Sequence, residues 1–496
     1  MSKGTTAAAR ALGLVAALGC GGGSAAPPPG DAGADHAVAD AGAPWSLADA
    51  LQIDQIAFQQ TVKVTTMSGG WPTKTLNAPL IDRRKGIARV YLTAVRNRRF
   101  KARRLEAELH VVAADGERVL RDARTIAGAS SETDLETTFD LAYDESFLAG
   151  AKEYWVDVRD AAAAARGERG AALRWPPNGT NPLAVEPNPG PLKIRFVPVA
   201  YGADGSNRVP DTSAARLAEL ATQLHDRFPV SRVDVDARAP IAWPNALQPD
   251  GDGWSWLLNA VMEARATDAP ASDVYYVGLV DPRPSFDAYC GNGCLAGLAP
   301  TAGLAIPSER AVLALGFGGA FVDETIPHEL GHVMGRAHAP CGNPGGPDPD
   351  YPYPNASIGV TGWREADRNF FFEAADVMSY CIPGWISDYT YAAIAARVRT
   401  VNAQGSWVGA RAPVAHRRVL VDARGGLSWG RTLKLDGVVG GDEVAVELRD
   451  AGGAKVGSVS GRRFGYDHVP GGFVLFEEPA TAWASASIAS VGSIAR

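Results

Sequence analysis

The sequence predicts a multidomain α+β fold, in which an α/β layer is flanked by N-terminal and C-terminal all-β, sandwich-like domains. Three observations carry this. The chain has 496 residues, too many for one ordinary core. Strand-like alternation fills 45–187 and returns over 406–496, whereas 188–405 alternates strands with helices. Finally, "RWPPNGTNPLAVEPNPGPL" (174–192) is dense in Pro, Asn and Gly and marks a boundary between the first two patterns.

The N-terminus precedes any folded element. "MSKGTTAAARALGLVAALGC" (1–20) has a basic start and a short apolar run, the pattern of an export signal too short to span a bilayer. Its end resembles a bacterial lipobox, which implies lipidation of Cys20; a plain signal peptide is the other reading. The expected location is therefore outside the cytoplasm, as an outer-membrane or cell-surface lipoprotein or as a secreted protein. Residues 21–44 are almost all Gly, Ala, Pro and Asp and read as a tether with a reach of roughly 27 Å. Since no later stretch has 18 consecutive apolar residues, membrane attachment is expected through the lipid alone.

Composition narrows the partners. The net charge is −7, and the densest basic run, "RNRRFKARR" (96–104), is read as a solvated sheet face, so no nucleic-acid partner is expected. Oligomeric state is not legible. Beyond Cys20, the cysteines are Cys290, Cys294, Cys341 and Cys381, an even set that suggests two disulfides in an exported chain. Three pairings exist; Cys290–Cys294 with Cys341–Cys381 is favoured. A cysteine-type zinc site is weaker, for want of paired C-x-x-C knuckles.

In the first all-β region, "IARVYLTAV" (87–95), "EAELHVVAA" (106–114) and "EYWVDVRD" (153–160) are half-buried strands. His110, alone in the second, is read as structural. In the α/β layer, strands are expected at 192–201, 231–237 and 272–281, with "AVLALG" (311–316) as an edge strand. Helices are expected at 211–228, capped by Asp211 or Thr212, at 253–266, and at 387–401, capped by Ser387 or Asp388. Leu217, Leu220, Ala221, Leu224 and Phe228 form the apolar face of the first. "RRVLVDA", "RTLKLDG", "EVAVELRD" and "GGFVLFEE" then build the small terminal all-β domain.

The chemistry is concentrated in "HELGHVMGRAH" (328–338). On a helix, positions i and i+4 share a face, so His328 and His332 can bind one metal. Glu329 lies beside that metal, where it can act as general base. Zinc needs a third protein ligand and an open fourth position. His338 supplies the ligand if the helix ends and turns back at Gly335, where glycine accepts a left-handed conformation. The six defined positions arise by chance on the order of once in 10⁵. Pro327 places the helix start near Asp323, or else a kink at Pro327.

This string resembles the zinc signature of the metzincin metallopeptidases. The resemblance covers roughly 190–402 and extends to "DVMSYC" (376–381), similar to the family's methionine turn. It implies Met378 as the apolar floor under the histidines and Tyr380 as a partner for the metal and the developing oxyanion. Ala339, after the third histidine, matches none of the best-known subfamilies, so the subfamily stays open. The resemblance implies a zinc endopeptidase. One catalytic Zn²⁺ would be held by His328, His332 and His338, with Glu329-assisted attack of zinc-bound water on an extended protein or glycoprotein substrate paired with 311–316. The alternative is a surface adhesion or glycan-binding protein with a vestigial or structural zinc. The Pro/Gly-rich segment after His338 is read as a wall of the cleft. Asp348 and Asp350 within it offer calcium ligands, or else a solvent-exposed turn.

Overall fold

The computed structural model describes residues 47–95, 100–167, 171–301, 306–404, 413–435, 437–438 and 440–496. The export signal, the tether and Cys20 lie outside the described residues, as do the first four residues of the basic run, 96–99. The protein is a mostly-β, multidomain chain. No described helix is long and apolar enough to cross a membrane.

The first unit is built from β1 (Leu51–Gln60), β2 (Val62–Ser68), β3 (Gly86–Ala94), β4 (Arg103–Ala113), β5 (Gly116–Ile126), β6 (Phe139–Tyr143), β7 (Ala151–Arg159) and β8 (Ala172–Trp175). They form two sheets, β2-β1-β3-β6 and β8-β7-β4-β5. Buried side chains join the two: Phe58 meets Tyr154 edge to face at 5.7 Å, and the Tyr154 hydroxyl donates to Thr66 Oγ1 at 2.8 Å. His110 is structural in this setting, stacked on Trp155 at 4.5 Å and bonded to Glu117 at 2.6 Å. It lies near Glu108 and Asp157, but guanidinium groups of Arg121 and Arg174 already hold those two carboxylates.

The second unit opens with β9 (Leu192–Tyr201), α1 (Ala214–Arg227), β10 (Val233–Ala237), β11 (Ile241–Trp243), α2 (Trp254–Asp268) and β12 (Val274–Val280). Next come β13 (Gly297–Leu298), β14 (Ala311–Leu315) and α3 (Ala320–Val333). The sheet order is β10-β9-β12-β14-β13, with β11 beside β9; every pair is parallel except β13–β14. Two expectations change here. The strand at 311–316 is not the edge, because β13 pairs along its outer side. In addition, α1 is capped by Ser213, whose hydroxyl accepts from the Arg216 N–H, and not by Asp211 or Thr212.

Beyond its Pro/Gly-rich loop, the 39-residue stretch between His338 and Met378 carries strands of its own. It contributes β15 (Gly362–Arg364) and β16 (Asn369–Phe371), which extend the first sheet past β2. The N-terminal unit is therefore completed by residues more than 200 positions downstream. Arg84 seals the junction: its buried guanidinium donates to Thr61 Oγ1 and to the carbonyls of His225, Phe228 and Val230 at the end of α1. The layer closes with α4 (Asp388–Gln404), where Ser387 accepts from the Thr390 N–H, as one of the two expected caps.

The terminal unit comprises β17 (Val414–Val421), β18 (Leu427–Trp429), β19 (Leu433–Leu435), β20 (Asp442–Arg449), β21 (Lys455–Phe464), β22 (Gly472–Glu477), β23 (Ser485–Ile488) and β24 (Gly492–Ala495). They form one sheet, β18-β17-β22-β21-β20-β23-β24, with β19 on β17. Its ends meet, the Trp429 indole donating to the Ala495 carbonyl at 2.6 Å, so it is a near-closed barrel and not a sandwich. One face encloses Val446, Phe476 and Trp483. The other is continuous with the α/β core: Leu420, Phe464, Tyr466 and Phe473 pack with Trp254, Leu257 and Leu313.

Candidate metal centre

Helix α3 runs on one side of β14 and carries His328, Glu329 and His332, all buried. Pro327 falls inside it, because the helix begins at Ala320 and not near Asp323; the ring lacks the N–H that would reach back to the Asp323 carbonyl. The helix ends as expected. Gly335 takes φ +93°, its N–H bonds the His332 carbonyl, and the Arg336 N–H reaches the Gly331 carbonyl at 2.9 Å. That turn sends the chain back so that His338 faces the two helical histidines.

The three imidazoles are oriented by one device. Nδ1 of His328 donates to the Val377 carbonyl at 2.7 Å, that of His332 to the Arg336 carbonyl at 2.8 Å, and that of His338 to the Gly345 carbonyl at 2.7 Å. A carbonyl only accepts, so each Nδ1 carries the proton and each Nε2 presents a lone pair. The Nε2 atoms of His328 and His332 face each other at 3.2 Å. Two facing lone pairs repel unless a cation lies between them, so the donor set fits a bound metal ion. Burial pushes the imidazole pKa values down, to about 3 for His328, well below the usual range for His332, and to about 4 for His338. Neutral imidazole is the form a metal needs.

Met378 lies beneath the centre, buried. A Cβ on Gly331 would meet its sulfur at 2.3 Å, which explains a glycine between the two helical histidines. The turn is pinned from both sides. Asp376, fully buried, accepts from the N–H groups of Met378 and Ser387, and the Ala339 N–H bonds the Met378 carbonyl. The Cys341–Cys381 disulfide ties the third-histidine segment to this turn, and Cys290–Cys294 closes the small loop before β13. These are the two favoured pairings, and they fit an extracellular protein. Tyr380 reaches the centre with its hydroxyl 3.3 Å from His338 Nε2.

A cleft of about 450 Å³ opens beside Glu329 and His328. Leu295, Ala296 and Gly297 line one side; Val377, Tyr380 and the exposed Ile382 line another. Gly297 approaches so closely that a Cβ there would meet Glu329 Oε1 at 2.3 Å. Burial raises the Glu329 pKa to about 8. Asp348 and Asp350 do not form a calcium site: Arg336 and Tyr389 bond the Asp348 carboxylate, and neither aspartate belongs to a group of described ligand side chains close enough to share an ion.

The sequence reading missed two residues. Asp467 and His468 lie between β21 and β22 of the terminal barrel, yet their side chains enter the centre. His468 Nε2 is 3.2 Å from Glu329 Oε1 and its Nδ1 is 2.5 Å from the Tyr380 hydroxyl. Asp467 Oδ2 is 3.4 Å from His332 Nε2, and burial raises its carboxyl well above the usual range. Nothing local marks them beyond a histidine beside an acid in a loop, and the 128 residues 339–466 separate them from the motif.

No family model matches the chain, and no curated protein matches it. Among solved structures, a chain described as "Structure of a chaperone-substrate complex" aligns over 59% of this chain and 41% of its own length, with 12% identity and a TM-score of 0.24. The match spans about two fifths of that chain, and at this score it carries no argument about fold or site.

Proposed function

We propose that this protein is an exported zinc-dependent endopeptidase of the metzincin type. The observation that carries the reading is the convergence of three Nε2 lone pairs, each oriented by a backbone carbonyl, beside a buried glutamate at the rim of a cleft. His328, His332 and His338 would hold the ion. Zinc bound there supplies Lewis-acid polarisation of a carbonyl and makes water more acidic.

The chain's own residues do the rest. Glu329, kept from bulk water, takes a proton from the attacking water and passes it to the leaving amine. Its raised pKa puts proton uptake and release near neutrality. The Tyr380 hydroxyl donates to the oxyanion that develops at the scissile carbonyl. The backbone around Ala296 and Gly297 borders the cleft and is placed to pair with an extended substrate, the role expected of 311–316. The two disulfides are consistent with action outside the cytoplasm.

The test is a pair of measurements on the purified protein. Casein cleavage should vanish with a chelator and return with zinc. Glu329→Ala should retain about one zinc per chain while turnover falls by several orders of magnitude, about 10³-fold or more. Near-wild-type turnover in that variant contradicts the mechanism.

A further inference from the structure

We infer that the terminal barrel supplies a fourth metal ligand, His468, carried on a segment that pairs with the cleft-side strand as an extended peptide does. This rests on the metal-centre reading proposed above. Ring positions come first. The centres of the His328, His332 and His338 rings are 4.6, 4.8 and 5.3 Å apart, and the His468 ring is 5.4, 5.9 and 5.1 Å from those of His328, His332 and His338. With metal–nitrogen bonds of about 2.0–2.1 Å, and ring centres roughly 1.1 Å beyond the nitrogen, four imidazoles around a tetrahedral ion have centres about 5 Å apart. One ligand nitrogen from each of the four histidines lies within 4.8 Å of the others.

The segment's backbone is the second observation. The Thr301 N–H donates to the Gly465 carbonyl at 3.0 Å and the Asp467 N–H to the Ala299 carbonyl at 3.2 Å, with Pro300 opposite Tyr466 in an antiparallel bridge. Asp467 Oδ1 accepts from the Ala299 N–H at 2.9 Å. Residues 465–467 therefore pair antiparallel with 299–301, which continue the chain from β13, and they bring His468 to the centre.

The third is anchoring. Tyr466 and Val469, on either side of the pair, are buried in the core shared by the barrel and the α/β layer. The backbone of the segment is held, so the motion left is rotation of the His468 side chain, which gives up its contacts to Glu329 and Tyr380. With those contacts made, His468 fills the coordination site that a three-histidine centre keeps open, and a substrate carbonyl reaches the centre only when the ring swings out.

The test uses the full-length protein with zinc, and with cobalt(II) exchanged for zinc. X-ray absorption on the wild-type zinc form should count four imidazoles; three imidazoles and an oxygen overturn the proposal. The cobalt form should carry one ion per chain in wild type and in His468→Ala, with different visible spectra. Acetohydroxamate, a small chelating probe, should bind the variant at least about tenfold more tightly, because it no longer displaces a protein ligand. Identical spectra and equal probe affinity, with cobalt bound in both, sink the fourth ligand and leave the three-histidine centre standing. If neither protein binds the metal, the metal-centre reading fails and this proposal falls with it. The absorption measurement needs no variant, so a misfolded His468→Ala does not leave the question open.

Discussion

At the scale of single residues, the proposed activity depends on how closely atoms approach Glu329. Gly297→Ala places a methyl against its carboxylate and the Thr325 methyl. A shift of the order of an ångström in a catalytic group costs about 10²-fold. We expect turnover to fall by about that factor with zinc content unchanged; loss of zinc instead would show that Gly297 shapes the metal site itself. Tyr380→Phe should cost about 10²-fold in kcat with little change in KM, the pattern for a group engaged only in the transition state. The histidines make a pH prediction. Burial lowers the folded pKa values of His328, His332, His338 and also His225, so below the unfolded value of 6.5 the unfolded chain takes up protons that the folded chain does not. Each lowered histidine removes up to about 1.4 kcal/mol of stability per pH unit as pH falls from 6.5 toward the folded values of about 3 to 4. Buried carboxyls raised in the folded chain, Glu329 and Asp467 among them, take up protons over the same window and oppose this, so a ring is read by difference. In chelator-treated protein the stability of wild type relative to His225→Gln should fall as pH drops from 6.5 to 5; a constant difference would contradict a buried, neutral His225.

At the scale of elements, the tight points are junctions. Arg418 on β17 is buried against the α/β layer, donating to Asn259 Oδ1 at 2.8 Å and pairing with Glu309 at 3.3 Å, both partners almost fully covered. Removing Arg418 takes an ion-pair partner from the buried Glu309 and a donor from Asn259, so Arg418→Ala should cost about 3–5 kcal/mol, and adding Glu309→Gln should recover part of it. Urea midpoints of the single and double variants measure this. The disulfides differ in what they close. Cys341–Cys381 spans 40 positions and Cys290–Cys294 spans 4. Loop-closure entropy gives about 4 kcal/mol for the first and about 2 kcal/mol for the second. Double serine replacement of the first pair should therefore lower stability more, and with it the hold on the methionine turn.

At the scale of the whole molecule, the terminal barrel is not an appendage. Its outer face and the α/β layer share one core, so a chain ending near residue 412 exposes Trp254, Leu257 and Leu313. We expect that truncation to lose cooperative melting, and it also removes Asp467 and His468. A truncated protein with a sharp melt would show that the two units fold separately.

Local chemistry made much of this readable in advance. The i, i+4 histidines, the glutamate between them and the glycine turn are dictated by helical periodicity and by a conformation glycine adopts at little cost. Strand 192–201 came out with its predicted limits, and the cysteines paired as favoured, because both depend on patterns a few residues long or on a small number of combinations. The errors were of another kind. Ser213, not its neighbours, caps α1, since cap choice turns on one or two residues of backbone geometry. Strand 311–316 looked like an edge because the two-residue β13 that covers it is too short to show periodicity.

What the sequence by itself determined is the candidate ligand set: three histidines, a glutamate and a glycine turn within eleven positions, held together by helical periodicity and covalent spacing. Only the tertiary structure decided what stands opposite them. The completion of the first sheet by 362–371 and the arrival of Asp467 and His468 depend on hydrophobic faces seeking cover across about 130 residues or more. Burial of apolar surface is non-directional and leaves no local mark on the residues it brings together.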